Sequence, residues 1–521
     1  MSTIWDVIYS QMLIMFLRML FKLCFAGVFI FVTAVAKPIH IPEPLLERAL
    51  AKALQVDPAS LTEELVSQNL EFFELNNAGL RDLTGLEVAR NLKVLVLKDN
   101  LIEDITPIAE LAKLKKLDLS GNRISNLSTL SGFSLKKMQD QVAAIQQKMS
   151  GTIGSANQPA ELLLKLSDLT ERMKRGPWQL TELSLSRNRL LGLSGISNLV
   201  YLNHLDVSGN SLIDLQGVSS LSSLVSLYAQ SNQLGRSESY VDENKNKAYD
   251  AGESFEDESG NGKRDTDPLV ELKNLPNLVN LYLYDNLLST VQSLESLPSL
   301  KILLLSGNQI KEVQNLSNFF GLERLSLSDN RITSLDGLET LENLQYLYLV
   351  ENRICDLRPI HALKSLRELR LQRNQLVHID PISGLADLRV LYLSNNFIFS
   401  VKPLLGLDQL KRVSLTGNFI NPDDISFQNA SKDLRSKGVF ITTGQQKQRV
   451  IELEQLISSL IGHPNSNQEL GDYLQANGYL RLVDFVDDAS IDESEKATAY
   501  KSWYQNLRFG KPLKDLEFPG K

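Results

Sequence analysis

The chain has 521 residues, a formal net charge of −8, and 22% charged against 43% hydrophobic residues. It is long enough for several ordinary domains or one elongated domain, and apolar enough to fold rather than stay disordered. The acidic balance excludes the basic footprint that general nucleic-acid binding needs.

In chain order, the first 36 residues stand apart from the rest. Arg18 and Lys22 precede the apolar run "LCFAGVFIFVTAVA", which ends on the small residues Ala34 and Ala36 before Lys37-Pro38. This order predicts a secretory signal peptide over 1–36. The run is shorter than the ~20 residues of a membrane span. An uncleaved N-terminal anchor is the alternative, and no other membrane segment is expected. After cleavage only Cys355 of the two cysteines remains, so no internal disulfide is expected. Secreted, periplasmic or cell-surface residence follows. Residues 37–69 form an N-terminal cap, in which "PEPLLERALAKALQV" is an amphipathic helix placed to cover the first apolar coil.

Residues 70–420 repeat. "LKVLVLKDN" ends at Asn100, "LKKLDLSGN" at Asn122 and "LTELSLSRN" at Asn188, and the series continues through Asn210, Asn232, Asn286, Asn308, Asn330, Asn352, Asn374, Asn396 and Asn418, mostly in steps of 22. A weaker first copy, "LEFFELNNA", has Ala78 at the asparagine position, which makes about 13 copies. The L-x-x-L-x-L segment alternates and so predicts a short strand with its leucines inward. The asparagine satisfies backbone groups in the turn that follows. No coil can bury its apolar face alone, so the coils must stack into one curved parallel sheet.

These motifs resemble the leucine-rich-repeat family, in particular the 22-residue internalin type of bacterial surface proteins. They are also similar to the repeats of the protein-phosphatase-1 regulatory subunit. The resemblance implies an α/β leucine-rich-repeat solenoid with a sheet on its concave face. It also implies a non-enzymatic scaffold that binds a protein or surface ligand there. The phosphatase-like resemblance implies an intracellular regulatory scaffold instead.

The 22-residue step fails twice, and the repeat resumes in phase each time, which marks two insertions. In the first, over 133–176, Leu135, Met138, Val142, Ile145 and Met149 have helical spacing, as do Leu163, Leu166, Leu169 and Met173. This predicts a helical hairpin, either a self-contained decoration or a docking arm.

The second insertion, over 235–267, holds "DENKNKAYDAGE". Asp242, Asn244, Asn246, Asp250 and Glu253 fall at positions 1, 3, 5, 9 and 12 of the pattern D-x-[DN]-x-[DN]-G-x5-E, with Ala248 at the carbonyl position. Fifteen residues on, Asp257, Ser259, Asn261 and Asp265 repeat the spacing, with Lys263 at the carbonyl position. Hard oxygen ligands in this array suit calcium. The pair resembles the calcium loops of bacterial secreted proteins that lack flanking EF helices. Lys247 and Pro268 depart from the pattern, where a glycine and a glutamate belong. A solvated acidic loop that binds nothing is the alternative.

After Asn418, "NPDDISFQNASKDLRSKGVFITT" predicts a closing helix and strand over 421–444. A helical tail follows over 445–521. The five histidines, His40, His204, His361, His378 and His463, stand in no zinc, nucleophile or phosphate-loop motif, so an enzyme is not expected.

The position between the inward leucines faces the concave side. It reads Tyr228, Tyr282, Leu304, Ser326, Tyr348, Arg370, Tyr392 and Ser414 down the later copies. Neighbouring outward positions add Tyr284, Tyr346, Arg324, Arg367, Arg373, Arg389 and Arg412. Tyrosine and arginine are the types enriched at binding hot spots. The early copies offer Glu74, Val96, Asp118, Ser184 and Asp206 instead. The expected partner therefore has an acidic or mixed surface and docks on copies six to twelve. Ordinary strand-surface chemistry, which favours tyrosine anyway, is the competing account.

Overall fold

In a computed structural model, the described residues are 37–132, 178–236 and 267–444, apart from positions 110, 133, 295, 296, 399 and 421, together with 142–145, 147, 166 and 254. The expected signal segment, the calcium ligands, most of the helical hairpin and the C-terminal tail lie outside them.

Each copy of the repeat supplies one three-residue strand. In chain order these are β1 (Phe72–Glu74), β2 (Val94–Val96), β3 (Lys116–Asp118), β4 (Glu182–Ser184), β5 (His204–Asp206), β6 (Ser226–Tyr228) and β7 (Asn280–Tyr282). There follow β8 (Ile302–Leu304), β9 (Arg324–Ser326), β10 (Tyr346–Tyr348), β11 (Glu368–Arg370), β12 (Val390–Tyr392) and β13 (Arg412–Ser414), and β14 (Phe440–Thr442) closes the series. They form one 14-stranded sheet in sequence order, parallel throughout. The central residue of each strand from Phe73 to Val413 points inward and is at most 2% exposed, in a single core that runs the length of the stack. The fold is a leucine-rich-repeat solenoid, as the periodicity predicts.

The asparagines form a ladder inside it. Asn330 Nδ2 donates to Leu327 O of its own coil at 3.1 Å and to Leu305 O of the coil before at 3.0 Å, while its Oδ1 accepts from Ile310 N at 2.9 Å. The residue before the asparagine is left-handed in coil after coil, as at Asp99, Gly121, Ser231, Gly307 and Glu351, which is what swings the asparagine amide inward. The ladder crosses both insertions. Asn188 Nδ2 reaches Leu119 O at 3.0 Å, and Asn286 Nδ2 reaches Ala229 O at 3.1 Å. Leu117 pairs with Leu183 and Leu227 with Leu281 in unbroken register. The stack therefore continues past both additions.

The return path of most coils is a short 3-10 helix, which the periodicity alone does not reveal. It has two recurring starts. Some coils use a left-handed glycine, as at Gly85, Gly195, Gly217 and Gly337. Others use proline in the first turn, as in Thr106–Ile108, Arg358–Ala362 and Asp380–Gly384. Proline has the required φ already set, and its missing N–H is not needed there.

Both ends are covered. Helix α1 (Pro44–Leu54) buries Leu46 and Leu50 against the first coil, and α2 (Glu63–Asn69) follows with Thr62 as its cap. At the far end α3 (Ile425–Ser436) buries Leu434 and leads into β14. Of the first insertion, Val142 and Ile145 are helical and pack against the core of the solenoid. Pro268, read above as the last position of the second calcium loop, is buried in the solenoid at the start of the 3-10 helix Pro268–Leu272. Asp267 caps that helix, accepting from Leu269 N at 3.0 Å.

Candidate partner-binding face

The third residue of each strand projects from the concave surface, because its neighbours on both sides are inward apolar residues, mostly leucines. Register brings these residues side by side: Tyr228 with Tyr282, Tyr282 with Leu304, Tyr348 with Arg370, and Arg370 with Tyr392. Rings meet across rungs. Tyr228 and Tyr282 are 54 positions apart, yet they stack with centroids 4.6 Å apart and planes 10° from parallel. The Arg370 guanidinium lies 4.6 Å from the Tyr348 ring and 5.4 Å from the Tyr392 ring. Its Nε donates to Glu368 Oε1 at 2.6 Å. Arg324, on the first strand position, lies 4.3 Å over Tyr346.

These contacts hold large side chains half-buried and ordered before any partner arrives, which lowers the entropic cost of docking. Burial, reinforced by the Tyr228 hydroxyl, pushes the Tyr282 phenol up, and Arg324 opposes the shift. Burial and the Glu368 carboxylate push the Tyr348 phenol up, against Arg324 and Arg370. Both hydroxyls therefore keep the proton they would donate to a bound acceptor. Leu304 and Ser326 occupy the column between the two tyrosine groups, so the surface dips there between Tyr282 and Tyr348.

The nine predicted partner residues do not all share this column. Tyr228, Tyr282, Tyr348, Arg370 and Tyr392 do, and Tyr346 lies beside it. Tyr284 lies just past the end of β7, and Arg367 just before β11. Arg373 sits in the turn with φ +56, where its guanidinium pairs with Glu351 at 2.7 Å. It belongs to the rim, because a left-handed turn residue is not in strand register. The early acidic half is also tempered. Asp118 is 7% exposed and pairs with Lys98 at 3.0 Å, and the Asp206 carboxylate accepts from both Ser208 N and Oγ.

Among the described residues no group of histidine, cysteine, aspartate or glutamate is placed to hold a metal ion. Among them, too, no helix is long and apolar enough to cross a membrane.

The sheet, ladder and flanking caps define a leucine-rich-repeat scaffold. The family model for leucine-rich repeats (two copies) matches residues 90–132 and 321–361. An internalin of Listeria monocytogenes superposes with a TM-score of 0.58 at 22% identity, covering 79% of this chain and 98% of that one. A leucine-rich-repeat protein of Leptospira interrogans gives 0.45 at 21% identity, covering 75% and 98%. The ectodomain of a membrane receptor kinase from Arabidopsis thaliana gives 0.45 at 20% identity, covering 73% of this chain and 42% of that one. No curated protein matches significantly in sequence.

Proposed function

We propose that the protein is a non-enzymatic binding scaffold, secreted or held at the cell surface, whose concave face on β6–β12 docks a protein partner. The observation that carries this reading is the preordered Tyr228, Tyr282, Tyr348, Arg370 and Tyr392 column, in ring-to-ring and ring-to-guanidinium contact. Half-buried aromatic and arginine side chains of this kind are the usual anchors of interfaces. The likeness in fold to an internalin and the leader-like first 36 residues support the extracellular placement.

The test is affinity capture with the intact protein, comparing wild type with a Tyr282→Ala/Tyr348→Ala/Arg370→Ala variant that retains its thermal unfolding profile. The variant is expected to bind the partner captured by wild type at least tenfold more weakly. Equal affinity overturns the reading.

The second insertion adds calcium to the proposal. Between Asp242 and Asp265 its oxygen-bearing side chains follow ligand spacing twice, with a 15-residue offset. In sequence it falls between β6 and β7, the strands that carry Tyr228 and Tyr282. Bound calcium offsets part of the insertion's negative charge. Extracellular modules bind calcium at about 10⁻⁴–10⁻³ M. Isothermal titration in that range is expected to register binding that Asp242→Ala/Glu253→Ala abolishes. A flat titration of the wild type at millimolar calcium removes calcium from the account.

A further inference from the structure

The position just before each strand forms a second column, along the rim where the chain enters the sheet. Backbone bonds fix its last three members on consecutive rungs: Arg389 N donates to Arg367 O at 2.9 Å, and Lys411 N donates to Arg389 O at 2.8 Å. All three side chains are exposed, as is Arg412 next to Lys411. Rungs are ~4.8 Å apart, and like charges directly opposite one another destabilise a sheet.

Elsewhere in this column two of the cations are answered internally. Lys93 pairs with Glu71 at 2.7 Å, and Lys301 pairs with Glu323 at 2.7 Å, each with a carboxylate one rung away. At the last three rungs no such carboxylate stands in the column, and among the described residues Arg367, Arg389, Lys411 and Arg412 form no ion pair. The nearby acids do not close the gap. Glu368 is engaged by Arg370 at 2.6 Å, and Asp408 faces Lys437 at 3.8 Å. Asp387 is exposed and lines a polar groove of about 380 Å³ that also includes Glu323, Gln345, Ser365 and Arg367 and so runs into the cation run. At its other end Arg412 lies 5.5 Å over the Phe440 ring, which is 59% exposed.

We propose that this rim run, Arg367–Arg389–Lys411 with Arg412, is an anion-recognition site for an extended acidic segment of a protein partner. The proposal rests on the concave face being a docking surface, and it assigns that face its charge-reading edge. Two rungs span ~10 Å, which an extended peptide covers in about three residues. Acidic side chains at i and i+2 therefore reach neighbouring rungs. Exposed Phe440 offers an apolar contact that a peptide side chain can use and a bare phosphate or sulfate cannot. Gln345 in the groove presents an amide to peptide groups of the same chain.

The probe is a fluorescent twelve-residue peptide of alternating glutamate and serine, measured by anisotropy against the full-length protein. Its glutamine counterpart, a sulfated oligosaccharide and a single-stranded DNA of similar length serve as competitors. The glutamate peptide is expected to bind, to weaken as salt rises, and to lose at least tenfold in affinity in Arg389→Glu/Lys411→Glu. The milder Arg389→Gln/Lys411→Gln, with unchanged circular dichroism and melting, is expected to lose severalfold. No binding to wild type, or equal binding to both variants, overturns the site. Tighter binding of the sulfated sugar or DNA than of the peptide overturns the partner class. Loss of the captured partner in the Tyr282/Tyr348/Arg370 variant but not in Arg389→Glu/Lys411→Glu leaves the concave reading standing and rejects this one.

Discussion

Asn330→Ala is expected to destabilise the solenoid by about 2–3 kcal/mol, seen as a lower guanidinium midpoint. Asn330 is 8% exposed, and it serves two coils at once. Its removal leaves the buried Ile310 N–H without an acceptor and strips the Leu305 carbonyl of one of its two donors, the other being Asn308 Nδ2. Each buried group left unpaired costs about 1–3 kcal/mol. A repeat stack holds together through nearest-neighbour interfaces, so weakening a central one also lets the two halves unfold separately. The transition should broaden as well as shift. Asn330→Asp keeps the acceptor for Ile310 but turns a buried carboxylate oxygen on the Leu305, Leu327 and Ser328 carbonyls, so at neutral pH it should be at least as destabilising as alanine in urea or guanidinium titrations. A shift under 1 kcal/mol for alanine would show that water replaces the side chain without cost.

Gly337→Ala is expected to cost about 3 kcal/mol, while Gly438→Ala costs about 1. Both glycines are left-handed, with φ +98 and φ +80, so both variants bear the strain of an L-residue in that region, roughly 1–2 kcal/mol. They differ in space. A Cβ on Gly337 would lie 2.6 Å from Gln314 Cα and 2.7 Å from Gln314 O, whereas one on Gly438 meets nothing within 4 Å. Gln314 backbone belongs to the 3-10 helix of the coil before, so relief requires moving a neighbouring coil, with the usual overpacking cost of about 1–3 kcal/mol. Thermal denaturation of the two variants side by side isolates the steric part. Equal losses would mean that the coils separate freely.

Much of this was legible in the chain. The L-x-x-L-x-L-x-x-N period placed β1–β13, marked every rung of the asparagine ladder, and located both insertions by arithmetic alone. The amphipathic run before the first copy is the helix Pro44–Leu54, and the closing run after Asn418 holds the helix Ile425–Ser436 and the strand Phe440–Thr442. The 3-10 return helices were missed, because three to five residues are too few for a helical period to register. Their signal is nonetheless present, in the recurring left-handed glycine of L-x-G-L and the proline that replaces it.

The candidate site was legible only in part. Alternation identifies the residues that face outward, and so it picked out Tyr228, Tyr282, Tyr348, Arg370 and Tyr392. It cannot tell a strand residue from one that has entered the turn, which is why Arg373 is read as an outward neighbour of the column though it sits in the turn and pairs with Glu351. Nor does it show that Asp118 is spent on Lys98.

By itself the sequence determined where the chain must turn, which side chains go inward, and how many coils stack, because all three follow from residue types at short, fixed spacing. Only the tertiary structure decided which outward side chains meet and which charges remain unanswered. Those depend on register between coils 22 or more residues apart. Tyr228 finds Tyr282 across 54 positions, and Arg389 finds only cations above and below it.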